Sequence, residues 1–254
     1  MEKILLMIPA LLLLGGIASA QEAEQPHEQI DNMRFDKWYK KGGQWFVASH
    51  ASERVWGTAN KGLSLLGMNG TMPEDEIVAV KGEGKRACKL VSQNVLWAFA
   101  AGALYTGSWV KLIGTKGAEI TWGIPFHSRP KALKGYYYYK PVPINYARKQ
   151  HMDRKGKLDN GFILVALTDW DAPMHINTVT ETFFDANDPH VIGIAQMTLT
   201  RDTGGYVRFT LPIEYRDDRT PTHVVIAATP SNGGDFFTGG DGSTLYLDEF
   251  KFVY

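Results

Sequence analysis

The chain has 254 residues and balances 27 basic against 27 acidic side chains. It contains no basic run or basic-aromatic stripe of the kind that tracks a phosphate backbone, which excludes nucleic acid as a partner class. Its length allows a sizeable core, and its lone cysteine, Cys88, excludes an internal disulfide.

Lys3, the apolar run 4–17 and the small residues Ala18-Ser19-Ala20 read as an export signal cleaved after Ala20. The run is too short for a membrane span. No cysteine follows it, so export to the periplasm or the medium without a lipid anchor is expected. Residues 21–29 are polar and read as a flexible tether. From residue 30 to 254 the chain reads as a single all-β domain: short apolar runs are punctuated by 26 glycines and 12 prolines, and no long 3.6-residue period appears.

Trp56 and Asn60 lie in Val55-Trp-Gly-Thr-Ala-Asn-Lys-Gly62, which reads as a loop, so Trp56 is either a lid on the core or a ligand contact. Cys88, in Ala87-Cys-Lys-Leu-Val91, reads as a small buried residue of a strand rather than a catalytic thiol, since no His or Asn signature accompanies it. Arg129 precedes Pro130 and is biased to an extended backbone. It offers its fork to a ligand or clamps a neighbouring carboxylate. In Lys134-Gly-Tyr-Tyr-Tyr-Tyr-Lys140 the period of two puts Tyr136 and Tyr138 with the lysines on a wet face and turns Tyr137 and Tyr139 inward. The exposed pair is either a sugar platform or a cross-strand aromatic pairing.

Residues 162–167 and 223–228 are apolar on both faces and read as central strands of a sandwich. Asp169, Trp170 and Asp171 follow the first of them, where sandwich proteins place binding loops. Residues 205–216 alternate cleanly, which predicts one long antiparallel strand with Val207, Phe209, Leu211, Ile213 and Tyr215 inward. The same alternation in the last strand puts Tyr246, Asp248, Phe250, Phe252 and Tyr254 on one face. A carboxylate among aromatics costs several kcal/mol, roughly, unless it is paired or metal-bound. Asp248 is therefore the candidate calcium ligand, with Asp36 in the opening segment as its partner. Hydrogen bonding to backbone amides or an arginine is the alternative.

Aromatic residues make up 12% of the chain, with seven Trp and eleven Tyr. Flat aromatic faces suit the C–H faces of sugar rings, although large aromatics also fill β-sandwich cores. Catalytic signals are weak: no G-x-S-x-G elbow, H-E-x-x-H or phosphate loop is present. Glycoside hydrolysis would draw its carboxylate pair from Asp169, Asp171 and Glu214, but spacing along the chain selects no pair.

Five segments recur in order: Val55-Trp-Gly-Thr-Ala-Asn-Lys-Gly62, Arg129-Pro-Lys-Ala-Leu-Lys-Gly-Tyr-Tyr137, Ala166-Leu-Thr-Asp-Trp170, Leu211-Pro-Ile-Glu-Tyr215 and Phe236-Phe-Thr-Gly-Gly-Asp-Gly-Ser-Thr244. In these the chain resembles the bacterial putative carbohydrate metabolism domain family, from about residue 30 to the C-terminus. The resemblance implies a jelly-roll β-sandwich of two antiparallel sheets, exported by bacteria that degrade complex glycans. It supplies no agreed catalytic pair. Members often carry a lipid-anchor cysteine and an N-terminal immunoglobulin-like domain, neither of which is found here, and Tyr138 stands where a lysine is expected.

The leading expectation is a non-catalytic module for poly- or oligosaccharides. Trp56, Tyr136, Tyr138 and Trp170 would stack on sugar rings, with Asn60, Arg129 and Asp169 orienting hydroxyls. A glycoside hydrolase or lyase is the alternative. A third reading is a structural module with protein partners in a glycan-uptake assembly.

Overall fold

The computed structural model describes residues 27–95, 98–114 and 117–254. Residues 1–20, read as an export signal, and residues 21–26 lie outside them. Two antiparallel sheets face each other. The smaller runs Val207–Pro212, Ala132–Lys140, Thr244–Val253, Ala87–Val91, Thr71–Glu74. The larger runs Met174–Asn177, Gly117–Trp122, Leu104–Ile113, His223–Thr229, Gly161–Thr168, Val191–Leu199, Glu214–Tyr215, with Trp56–Thr58 and Ile124–Pro125 attached beside that path. The chain crosses repeatedly between the sheets, giving the expected jelly-roll sandwich.

Inner faces supply the core. Leu133, Tyr139, Leu245, Leu247, Cys88 and Leu90 from the smaller sheet meet Ile163, Val165, Leu167, Val224 and Ile226 from the larger one, all of them buried. As expected, Gly161–Thr168 and His223–Thr229 pair with each other in the middle of their sheet. Cys88 is fully buried and its thiol is pushed well up by that burial.

Two readings from alternation are corrected. The long strand 205–216 is broken at Pro212, which has no N–H to offer a ladder. Val207–Pro212 stays in the smaller sheet, while Glu214–Tyr215 pairs with the larger one through Gly193 and Ile194. The last strand also loses its period. Its register against Ala132–Lys140 shifts between Lys134 and Tyr136, and Glu249 opposite that shift has φ 50°. A one-residue bulge flips every side chain beyond it. Tyr246 and Asp248 therefore lie on the outer face, beside Tyr138 and Tyr136, while Phe250 and Phe252 enter the core.

Residues 27–29, assigned to the tether, are fastened to the last strand. Gln29 exchanges hydrogen bonds with the Phe252 backbone at 3.2 and 2.9 Å. His27 stacks on Tyr254 at 4.3 Å, and the Tyr254 hydroxyl donates to the Glu28 carbonyl at 2.6 Å.

A buried carboxylate organises the glycine-rich loop that precedes the last strand. Asp159, 1% exposed, accepts from the Ser231 and Ser243 hydroxyls at 2.6 and 3.0 Å and from the Gly240 N–H at 2.8 Å. Its other oxygen accepts the Asn160 N–H at 2.9 Å.

Candidate functional site

Several expected ligand contacts belong to the framework instead. Trp56 opens a strand, is 4% exposed, packs edge-on against Phe35 and donates Nε1–H to the Asp31 carbonyl at 2.9 Å. No face of it is left for a sugar. Asn60 is buried with its amide fully used. It donates to the Trp45 and Thr71 carbonyls at 3.0 and 2.7 Å and accepts the Gly70 and Thr71 N–H groups at 2.9 Å each. Arg129 is a clamp, but on backbone: it donates to the Arg219 and Asp217 carbonyls and stacks on Tyr215 at 4.0 Å.

Asp169 does not point to an open site. Its two oxygens bind Arg219 Nη1 at 2.6 Å and His190 Nδ1 at 2.8 Å. Arg219 also grips Asp217 at 2.7 Å, and that contact holds the Asp217 carboxyl below the usual range. Asp171 and Glu214 are exposed; Glu214 sits on an edge strand opposite Ile194. Nothing joins these three acids into one catalytic group.

The tyrosine face has the predicted phase but is partly roofed. Tyr138 stacks on Tyr246 at 5.4 Å and lies 6.1 Å from Tyr206. The segment 75–86 folds over this face. Its Ile77 carbonyl accepts the Tyr206 hydroxyl at 2.8 Å, and its Ala79 N–H donates to Asp248 Oδ2 at 2.7 Å. Tyr136, opposite Asp248, remains half-buried. The two acids named as a calcium pair are each engaged by protein groups. Asp36 binds Lys85 at 3.1 Å, and the same ammonium binds Glu249 at 2.6 Å. A lysine thus joins the opening segment to the last strand. Among the described residues no group of three or more His, Cys, Asp or Glu converges as a metal set.

Asp248 predicts a pH effect. Burial first, then the nearby Glu249 charge, push its carboxyl from 3.8 to about 6, against the Ala79 amide bond. A raised acid binds its proton more tightly when folded, so its contribution to stability is present below pH 3.8 and is lost as pH rises through about 6. After allowance for solvent screening this is worth about 1–2 kcal/mol. Thermal melts of wild type and Asp248→Asn should therefore diverge between pH 4 and 6.5, with only the wild type losing this increment. Parallel curves would place the titration elsewhere.

A cleft of about 610 Å³ lies on the outer face of the larger sheet, within the rough 300–1,000 Å³ range of small-molecule sites. Alternation along Leu104–Ile113 puts Tyr105 and Trp109 on this face. The neighbouring strand adds Ile120 opposite Trp109, and Trp122 opposite Gly107. Ala227 lies across from Tyr105 and Leu164 across from Ala227, and the alanine leaves the middle of the sheet hollow. The helical turn with Leu63, Leu65 and Leu66 and the loop from Thr229 to Phe237 complete the lining. Trp109 is pressed onto Gly62, where an added Cβ would meet its ring at 2.7 Å. The expected Trp170 contacts this surface indirectly, through Phe184 at 6.3 Å, which lies 5.8 Å from Trp122.

Polar groups are few in the cleft. Tyr105 OH and Trp122 Nε1, both from floor residues, are buried without a hydrogen-bond partner. Such orphans cost roughly 1–3 kcal/mol each until something satisfies them. Among the described lining residues Asp235 is the one carboxylate. It is exposed to solvent at the cleft. The aromatic richness was legible in the sequence, but Trp109 was not singled out. The available cue was Tyr105-Thr-Gly-Ser-Trp109, where a period of two puts both aromatics on one face.

Residues 28–253 match the profile of the putative carbohydrate metabolism domain. No curated protein sequence matches the chain. Among solved structures it is similar to a putative glycoside hydrolase from Bacteroides thetaiotaomicron, at 22% identity and TM-score 0.65 over 87% of this chain and 70% of that one. It is similar as well to a putative glycoside hydrolase from Bacteroides vulgatus, at 20% identity and TM-score 0.63 over 85% and 94%. At these identities the likeness establishes the fold.

Proposed function

The chain belongs to the putative carbohydrate metabolism domain family, and from that premise we propose that it is an exported saccharide-binding protein whose site is the cleft on the outer face of the larger sheet. One observation carries the reading: a cleft of about 610 Å³ with Tyr105, Trp109 and Trp122 gathered on it. Trp109 and Trp122, each half-buried, offer rigid stacking surfaces at little entropic cost, while Tyr105, 3% exposed, forms the floor beneath them. Residues 1–20, read as an export signal, would deliver this surface to the periplasm or the medium, where bacteria meet complex glycans.

Hydrolysis is the second reading, favoured by the names of the two similar structures. It requires two carboxylates roughly 5–9.5 Å apart across a sugar ring. The described lining supplies one, Asp235, which favours binding over cleavage. The two are separated by incubating the protein, freed of its first twenty residues, with a panel of polysaccharides while recording retained protein and released oligosaccharide. Retention without release is expected. Release would make the protein an enzyme, and neither signal across the panel would leave the interaction-module reading in its place.

A further inference from the structure

We infer that the outer face of the smaller sheet carries a second site, separate from the cleft, that takes the carboxylates of a uronate-bearing polysaccharide.

Register assembles the site from three strands. Lys134 on Ala132–Lys140 lies directly opposite Lys251 on the last strand, and opposite Thr210 on its other side. Leu133, Phe209, Phe250 and Phe252 turn into the core, so alternation turns Lys134, Arg208, Thr210 and Lys251 outward. Tyr136, two residues along from Lys134, faces the same way opposite Arg208. Side chains opposite each other on a sheet stand about 5 Å apart at Cβ, and diagonal ones about 7–8 Å. Three cations and a tyrosine ring therefore share one small patch of an open face.

The protein supplies these cations with no anion. Among the described residues, Lys134, Arg208 and Lys251 make no salt bridge and no side-chain hydrogen bond. The two acids of the last strand are engaged elsewhere: Asp248 accepts from Ala79 at 2.7 Å, and Glu249 binds Lys85 at 2.6 Å. Elsewhere on the same sheet Lys89 is matched by Glu74 at 3.3 Å. Two ammonium groups directly opposite each other repel and weaken the pairing. An anion from outside relieves that repulsion, and the local positive field attracts it.

The form of the anion follows from the neighbours. A uronate carries its carboxylate directly on the sugar ring. A ring laid against half-buried Tyr136 brings that carboxylate within reach of the Arg208 fork, whose paired donors match two carboxylate oxygens. Lys134 and Lys251 add point charges beside it, and Thr210 a hydroxyl. Nucleic acid fits less well, because three cations neutralise too few phosphates. The contacts are with exposed charges, so this site is weaker than the cleft.

Polygalacturonate is the test ligand, and its carboxyl-reduced form is the neutral control on the same backbone. Dextran sulfate and single-stranded DNA supply sulfate and phosphate, and binding is measured at physiological ionic strength. Polygalacturonate should bind more tightly than all three. Combining Lys134→Gln with Lys251→Gln should weaken it about tenfold and reduce its salt dependence. Lys155→Gln, outside the patch, should stay within about twofold of wild type. Without ligand the double variant should melt no lower than wild type, since a like-charge pair is relieved. Arg208→Gln, on an exposed position of an edge strand, should weaken binding as well. Wild-type affinity in the double variant overturns the inference, as does equal binding of the carboxyl-reduced polymer, the sulfated polymer or DNA. Loss of polygalacturonate binding in Trp109→Ala, with none in the double variant, would place the carboxylates in the cleft. That result overturns the second site and leaves saccharide binding standing.

Discussion

Asp159→Ala is expected to lower the thermal midpoint by about 8–16 °C, through a loss on the order of 4 kcal/mol. The carboxylate accepts four hydrogen bonds inside the protein, from Ser231, Ser243, Gly240 and Asn160. Removing it leaves those donors buried without acceptors. The hydroxyls can rotate toward other partners, for Ser231 already lies 2.7 Å from Ser92 Oγ. The Gly240 and Asn160 N–H groups cannot, and each unsatisfied amide costs roughly 1–3 kcal/mol. Asp159→Asn separates charge from shape. Its amide keeps one acceptor oxygen but presents an NH₂ where the other oxygen stood, so one backbone N–H must face a donor. Its loss should fall between zero and that of alanine, at about 2–3 kcal/mol. The check is chemical denaturation of the three proteins with a common slope. Indistinguishable midpoints for alanine and wild type would show that the loop does not depend on this carboxylate. The same loop carries Asn232 and Asp235 to the cleft, so Asp159→Ala should also weaken saccharide binding from a distance.

Trp109→Ala should reduce saccharide affinity about thirtyfold, near 2 kcal/mol, while Tyr138→Ala leaves affinity within twofold. Trp109 is half-buried and its ring is fixed against Gly62, so it presents a surface already ordered before a ligand arrives. Preorganised aromatic area is where binding energy concentrates, because little side-chain entropy remains to be lost. Tyr138 has comparable aromatic surface, but it is committed to Tyr246 and Tyr206 under the segment 75–86. The comparison should be made on the polysaccharide that retains the wild-type protein most strongly, with circular dichroism confirming the fold of both variants. The reverse pattern would move the site to the smaller sheet.

These residues show where reading the sequence succeeds and where it stops. Local periodicity was enough for the strands 161–168 and 223–229, because a strand buried on both faces must be apolar at every position. It was enough to phase Tyr136–Tyr139 as well. It failed where backbone geometry interrupts the period. Pro212 and the left-handed Glu249 each end a regular run, and neither interruption is visible in hydropathy. Trp56 was misplaced for a related reason. Its Gly- and Asn-rich surroundings resemble a loop, but the Asn60 amide uses its full hydrogen-bonding capacity to hold that segment against the core.

By itself the sequence determined the all-β class, the family, the central strands and the buried Cys88, since burial and alternation are written residue by residue. Only the tertiary structure decided which carboxylate is paired with what. Asp36 meets Lys85, Asp169 meets Arg219, and Asp159 meets two serines far along the chain. It alone decided that Tyr105, Trp109 and Trp122 share a hollow over Ala227. Contacts between strands distant in sequence depend on register and sheet order, and a period of two carries information about neither.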